Sequence, residues 1–154
     1  MKILVIDDEK ESVYDVLNEL GKRNVEVLYF QTVNDACVSI SKSIDSIDGF
    51  LIDILMSHSN TKFGGVELFK HIAILQASVS IPPKHGYPPV GVLSHLDKSD
   101  FIQQLHQISH SNSPDVRFRV WDKESTADVG SFVSEYIVNA SSGTHPSPRA
   151  VRGL

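Results

Sequence analysis

Apolar residues along the chain fall into short continuous runs separated by stretches of helical spacing. Ile3-Leu4-Val5-Ile6 is an unbroken apolar run that stops at Asp7-Asp8, the pattern of a strand buried on both faces. Val13, Val16, Leu17 and Leu20 follow at helical spacing, with Gly21 as the expected stop. Val25 to Phe30 predicts a second strand, and Asn34 the cap of a helix whose inner face is Ala36, Cys37, Ile40 and Ile44. Phe50-Leu51-Ile52 predicts a third buried strand ending in Asp53. After a loop through Gly64-Gly65, Leu68, Ile72 and Leu75 mark a third helix. Pro89 to Leu93 predicts a fourth strand ending at Ser94, and Phe101, Leu105 and Ile108 the helix after it.

Val116 to Val120 differs, because Arg117 and Arg119 alternate with Val116, Phe118 and Val120. One face of that strand is expected to be wet, which suits a sheet edge. Val129, Phe132, Val133, Tyr136 and Ile137 predict a last helix. Five strands alternating with five helices predict an α/β fold, a doubly wound five-stranded parallel sheet with helices on both faces. Residues 1–139 are expected to form this domain, and 140–154, rich in Ser, Gly, Pro and Arg, a flexible tail or the start of a linker. Residues 54–64 and 79–88 read as surface insertions.

Composition narrows the class without changing the fold. With 154 residues, 41% hydrophobic and 21% charged, the chain suits one globular domain. The formal net charge of -5 and the lack of a long basic run argue against a nucleic-acid-binding face. Cys37 is the sole cysteine, which rules out an intrachain disulfide or a cysteine-based zinc site and fits a reducing compartment. MKILVID lacks the long apolar core of a signal peptide, and no apolar stretch approaches the roughly 20 residues that span a bilayer. A cytoplasmic protein with no membrane partner is the expectation.

In open α/β sheets, ligands bind outside the carboxyl ends of the strands where strand order reverses. The residues just past each predicted strand are therefore the informative ones: Asp7 and Asp8, Asp53, Ser94 and Lys123. Three clustered carboxylates repel one another and stay ionised near neutrality only beside a cation, and an all-oxygen, partly hydrated site suits Mg²⁺. A carboxylate beside such a metal can attack phosphorus, and a lysine and a hydroxyl can compensate the new phosphoryl oxygens.

The sequence resembles the receiver (CheY-like) domain of two-component response regulators over about residues 1–139. The likeness is carried by KILVIDDE at residues 2–9, the LID run ending in Asp53 with Met56 beyond it, Gly65-Val66-Glu67-Leu68, the VLS run ending in Ser94, and Lys123. It implies a flavodoxin-like sheet of order 2-1-3-4-5. It also implies Asp53 as phosphoacceptor, with Asp7, Asp8, Asp53 and the Leu55 carbonyl holding Mg²⁺. Ser94 would be the hydroxyl that turns toward the phosphoryl group and Lys123 its salt-bridge partner. The partners implied are a histidine kinase or histidine phosphotransfer protein, and a downstream effector protein or a second copy of the chain. The product of such a reaction is a signalling state rather than a metabolite. The chain departs from the family pattern at Ser57, His95, Val120 and Glu124. Leu55 and Leu96, two residues past the acceptor and the switch hydroxyl, are expected to hinder an attacking water and slow hydrolysis.

Ordinary explanations stand beside these. Asp8 with Glu11 fits a capping box for the first helix, Ser94 with Asp97 one for the fourth, and Lys123 alone fits a solvated surface lysine. Asp53 is harder to dismiss, because an acidic residue ending a buried run is costly to desolvate. His106 and His110 are four apart, but the QIS between them lacks the glutamate of a zinc-protease motif. Two rival readings remain. One is a phosphorylation-independent docking module on the same fold, suggested by Val120 and the insertions. The other, a haloacid-dehalogenase-like phosphatase, wants an acid where Leu55 stands.

Overall fold

Each apolar run becomes a strand of one parallel sheet, and the side-chain alternation along the strands feeds two separate cores. The computed structural model describes residues 1–54, 64–77, 88–94, 101–110 and 117–122. The strands are β1 (Lys2–Ile6), β2 (Glu26–Phe30), β3 (Gly49–Asp53), β4 (Val90–Ser94) and β5 (Phe118–Asp122). They are all parallel, in the order β2-β1-β3-β4-β5. The helices are α1 (Tyr14–Lys22), α2 (Val33–Ser43), α3 (Gly64–Ala77) and α4 (Ile102–His110), with single 3₁₀ turns at Lys10–Val13 and Ile44–Ser46. The helix expected around Val129–Ile137 and the tail 140–154 lie outside the described residues, as do 55–63 and 78–87.

Topology decides which face each helix covers. The chain steps one way from β1 to β2 and the other way from β2 onward, and right-handed crossovers then put α1 on one face and α2, α3 and α4 on the other. Ile3 and Val5 of β1 accordingly pack with Val13, Val16 and Leu20 around α1. Leu4 and Ile6, the intervening residues, point into the larger core, where they meet Ala36 and Ile40 of α2 and Phe69 and Ile72 of α3. Phe69 meets Phe118 of β5 edge-to-face at 5.3 Å, tying α3 to the sheet edge.

Several element ends differ from the sequence expectation. Helix α2 is capped by Thr32, not Asn34: the Thr32 hydroxyl accepts from the Asp35 N–H at 3.2 Å. Gly21 lies inside α1 rather than ending it. The reversal is made at Asn24, whose φ of 57° places it in the left-handed region that asparagine tolerates. The residue in the N-cap position of the first 3₁₀ turn is Glu9 rather than Asp8, so the expected box of Asp8 with Glu11 is out of register by one. Cys37 is half-buried at the margin of the larger core rather than enclosed by it. Strand β5 runs from Phe118, with the Arg117 carbonyl just before it accepting from the Val90 N–H at 2.9 Å; Val116 lies outside the described residues. It is an edge strand, as expected, with Arg119 exposed and its guanidinium 5.3 Å from the Trp121 ring centre.

Candidate functional site

Strands β1 and β3 are neighbours, paired up to Ile6 and Ile52, so the residues that follow reach the same edge of the sheet. This is where strand order reverses, leaving a crevice between the outgoing loops. Asp7 and Asp8 leave β1 there and Asp53 is the last residue of β3. The three carboxylates each place an oxygen within 4.8 Å of the others. Asp7 is fully buried, Asp53 is 4% exposed and Asp8 is half-buried. Oδ1 of Asp53 is itself sealed from solvent.

The backbone around the cluster is pinned from both sides. The Asp7 N–H donates to the Phe30 carbonyl at 3.2 Å, extending the sheet one residue past β1. Oδ1 of Asp7 accepts from the Glu9 N–H at 2.9 Å, an Asx turn that folds the exit loop back on itself. On the other strand, the Ile54 N–H donates to Leu93 at 3.1 Å and its carbonyl accepts from the Gly65 N–H at 2.9 Å. The peptide after Asp53 is thus held between β4 and the first turn of α3. Gly65 is buried there at a contact only glycine fits. A Cβ would stand 2.6 Å from the Ile54 Cα, 2.9 Å from the Asp53 carbonyl carbon and closer still to its oxygen.

Sequence reasoning overlooked Tyr29. It lies on β2 opposite Val5, and its hydroxyl donates to the Asp7 carbonyl at 2.5 Å. The ammonium of Lys10 sits 5.3 Å from its ring centre. Burial pushes the Tyr29 phenol above its ordinary value, and the negative charge of Asp7 and, to a smaller degree, Asp8 pushes the same way against a bond from Gln31. The signal was available in the sequence: a tyrosine one residue before the end of the strand paired with β1.

The remaining expected residues are less fully described. Ser94 ends β4, in register with Asp122 of β5, and its side chain lies outside the described part of the structure. Leu55, Leu96, His95 and Lys123 lie outside the described residues. His106 and His110 stack with ring centres 5.9 Å apart and line a shallow groove with Gln103 and Gln107. Among the described residues, the one cluster of three or more metal-ligating side chains is Asp7, Asp8 and Asp53.

All-oxygen ligands of this charge and spacing fit a hard divalent cation such as Mg²⁺, which keeps several waters and takes a few carboxylates. Among the described residues, no helix is long and apolar enough to cross a membrane.

No family model matches the sequence, and no curated protein does. Solved structures do match. A response regulator receiver domain protein from Clostridium thermocellum is 22% identical with a TM-score of 0.65, covering 93% of this chain and 95% of that one. The N-terminal domain of a response regulator/sensory box/GGDEF three-domain protein from Carboxydothermus hydrogenoformans is 19% identical, with a TM-score of 0.65 over 94% of this chain and 98% of that one. A response regulator receiver protein from Pseudoalteromonas atlantica is 15% identical, with a TM-score of 0.62 over 92% of this chain and 99% of that one. At these identities the likeness is one of fold.

Proposed function

We propose that this chain, whose fold is that of response regulator receiver domains, acts as a phosphorylation-controlled signalling switch with Asp53 as the acceptor. The observation that carries the reading is the convergence of Asp7, Asp8 and Asp53 within 4.8 Å at the point where strand order reverses. A purely structural role accounts poorly for three such carboxylates, since their mutual repulsion opposes folding unless a cation is present.

In this reading Asp7 and Asp8, with Asp53, hold Mg²⁺. When bound, that ion neutralises the cluster and lends positive charge to the phosphoryl oxygens. A carboxylate oxygen of Asp53 attacks the phosphorus of a phosphohistidine on a histidine kinase or phosphotransfer protein. The O–P bond forms as the N–P bond breaks, and the departing imidazole takes up a proton. Fixing Asp53 between β4 and α3 supplies alignment, which with charge compensation is most of what phosphoryl transfer needs. Ser94 and Lys123 would receive the phosphoryl group on its far side. The output is a population shift passed to an effector protein or to a second copy of the chain.

The test is incubation with MgCl₂ and a small acyl phosphate, followed by intact-mass measurement. A single phosphoryl gain that disappears in Asp53→Asn and in EDTA is expected. No adduct with several donors or with a cognate kinase sinks the reading in favour of a docking module that uses the fold without the chemistry.

A further inference from the structure

A phenylalanine at position 29 would pack as well as tyrosine does against the core beneath α1, so packing leaves the hydroxyl unexplained. A half-buried phenol beside anionic groups is unfavourable unless its hydroxyl is well bonded. The Tyr29 hydroxyl donates to the carbonyl of Asp7, and the Gln31 side chain bonds to the same hydroxyl oxygen. That carbonyl belongs to the peptide that leads into Asp8, the least buried of the three carboxylate residues and the one beyond the reach of any strand.

We propose that Tyr29 is a positioning residue for divalent-cation binding, its hydroxyl locking the Asp7–Asp8 peptide so that both carboxylates face Asp53 before the ion arrives. The inference rests on the cation-site reading above. The N–H of Asp7 is held by Phe30, its Oδ1 by the Glu9 N–H, and its C=O by Tyr29. The Tyr29 bond holds the Asp7–Asp8 peptide itself, and the Asx turn folds the chain that follows it. The loop then closes over the same tyrosine from its other end, where the Lys10 ammonium covers the ring. Residues 7–10 thus wrap one side chain of β2, and the acidic loop is ordered by a strand that contributes no carboxylate to the site. Ordering the ligands in advance spares the ion that cost and strengthens its binding.

The experiment compares wild type, Tyr29→Phe and Asp8→Asn by calorimetric titration with MgCl₂, and by thermal unfolding in EDTA and in MgCl₂. Tyr29→Phe is expected to raise the Mg²⁺ dissociation constant about fivefold, the size of one net hydrogen bond. The rise in Tm produced by a fixed MgCl₂ concentration should shrink in the same variant. A hydroxyl that only stabilises the fold would lower Tm equally with and without Mg²⁺ and leave the dissociation constant unchanged, and that result overturns the proposal. Asp8→Asn separates the two levels. If it binds Mg²⁺ as wild type does, or if wild type does not bind at all, the cation site itself is wrong and the role of Tyr29 falls with it. If Asp8→Asn loses binding while Tyr29→Phe keeps it, only the positioning role is wrong.

Discussion

At the scale of single residues, the site depends as much on what is small as on what is charged. Gly65 lets the first turn of α3 press against the backbone of Asp53 and Ile54, and it needs no unusual φ to do so; the requirement is space. Because the obstacle to a Cβ is backbone rather than a flexible side chain, relief requires α3 to move away from β3. Gly65→Ala is therefore expected to destabilise the fold by about 2 kcal/mol, in the range of overpacked sites, as measured by urea denaturation. The GGVEL run was visible in the sequence, but nothing there says that Asp53 is the atom group lying opposite the glycine. Asp7, Asp8 and Asp53 were legible one by one as residues ending apolar runs. Their separation of 4.8 Å or less is a property of strand pairing.

At the scale of elements, the interiors of strands and helices were easier to read than their ends. Continuous apolar runs locate β1, β3 and β4, because burial on both faces leaves no polar alternation to confuse the period. Ends are set by local bonds that compete on nearly equal terms. Both Thr32 and Asn34 are able caps, and the chain uses Thr32 because its extended backbone (φ −125°, ψ 149°) aims the hydroxyl at the Asp35 N–H. Thr32→Ala is expected to lower stability by about 1 kcal/mol, whereas Asn34→Ala, inside the first turn, should cost much less; thermal melts of the two variants distinguish them. At the start of β5, Arg117 continues the alternation and its carbonyl accepts from the Val90 N–H, but the strand register with β4 begins at Phe118, opposite Val90. Pairing partners, not propensity, decide where an edge strand begins.

At the scale of the whole molecule, pH reports on burial. Burial and the charge of Glu67 hold the Cys37 thiol above its ordinary value of 9.0, and burial with Asp7 and Asp8 holds the Tyr29 phenol above 10.0. In both cases the folded chain keeps a proton that the unfolded chain releases. The resulting stabilisation is fully present below pH 9.0 and is lost as pH rises through the higher folded-state values. Urea denaturation from about pH 7 to about pH 10.5 should show this alkaline loss of stability, and Cys37→Ala should lessen its slope from about pH 9 upward. An unchanged slope would mean that the thiol is as free to ionise in the folded chain as in the unfolded one.

The sequence by itself determined the kind of molecule. Alternating strand and helix signals demand a parallel sheet covered on both faces. Asp7, Asp8 and Asp53 are legible as acids ending apolar runs, and the order that brings the ends of β1 and β3 side by side is what the receiver-domain resemblance implies. Only the tertiary structure decided what holds those carboxylates in place. Tyr29 reaches Asp7 across 22 positions of chain, and the first turn of α3 lands on the peptide that follows Asp53. Periodicity records which face a side chain takes. It carries no information about which distant atom will lie opposite once the sheet is assembled, because a hydrogen bond depends on positions that many sequences share and one packing alone brings within reach.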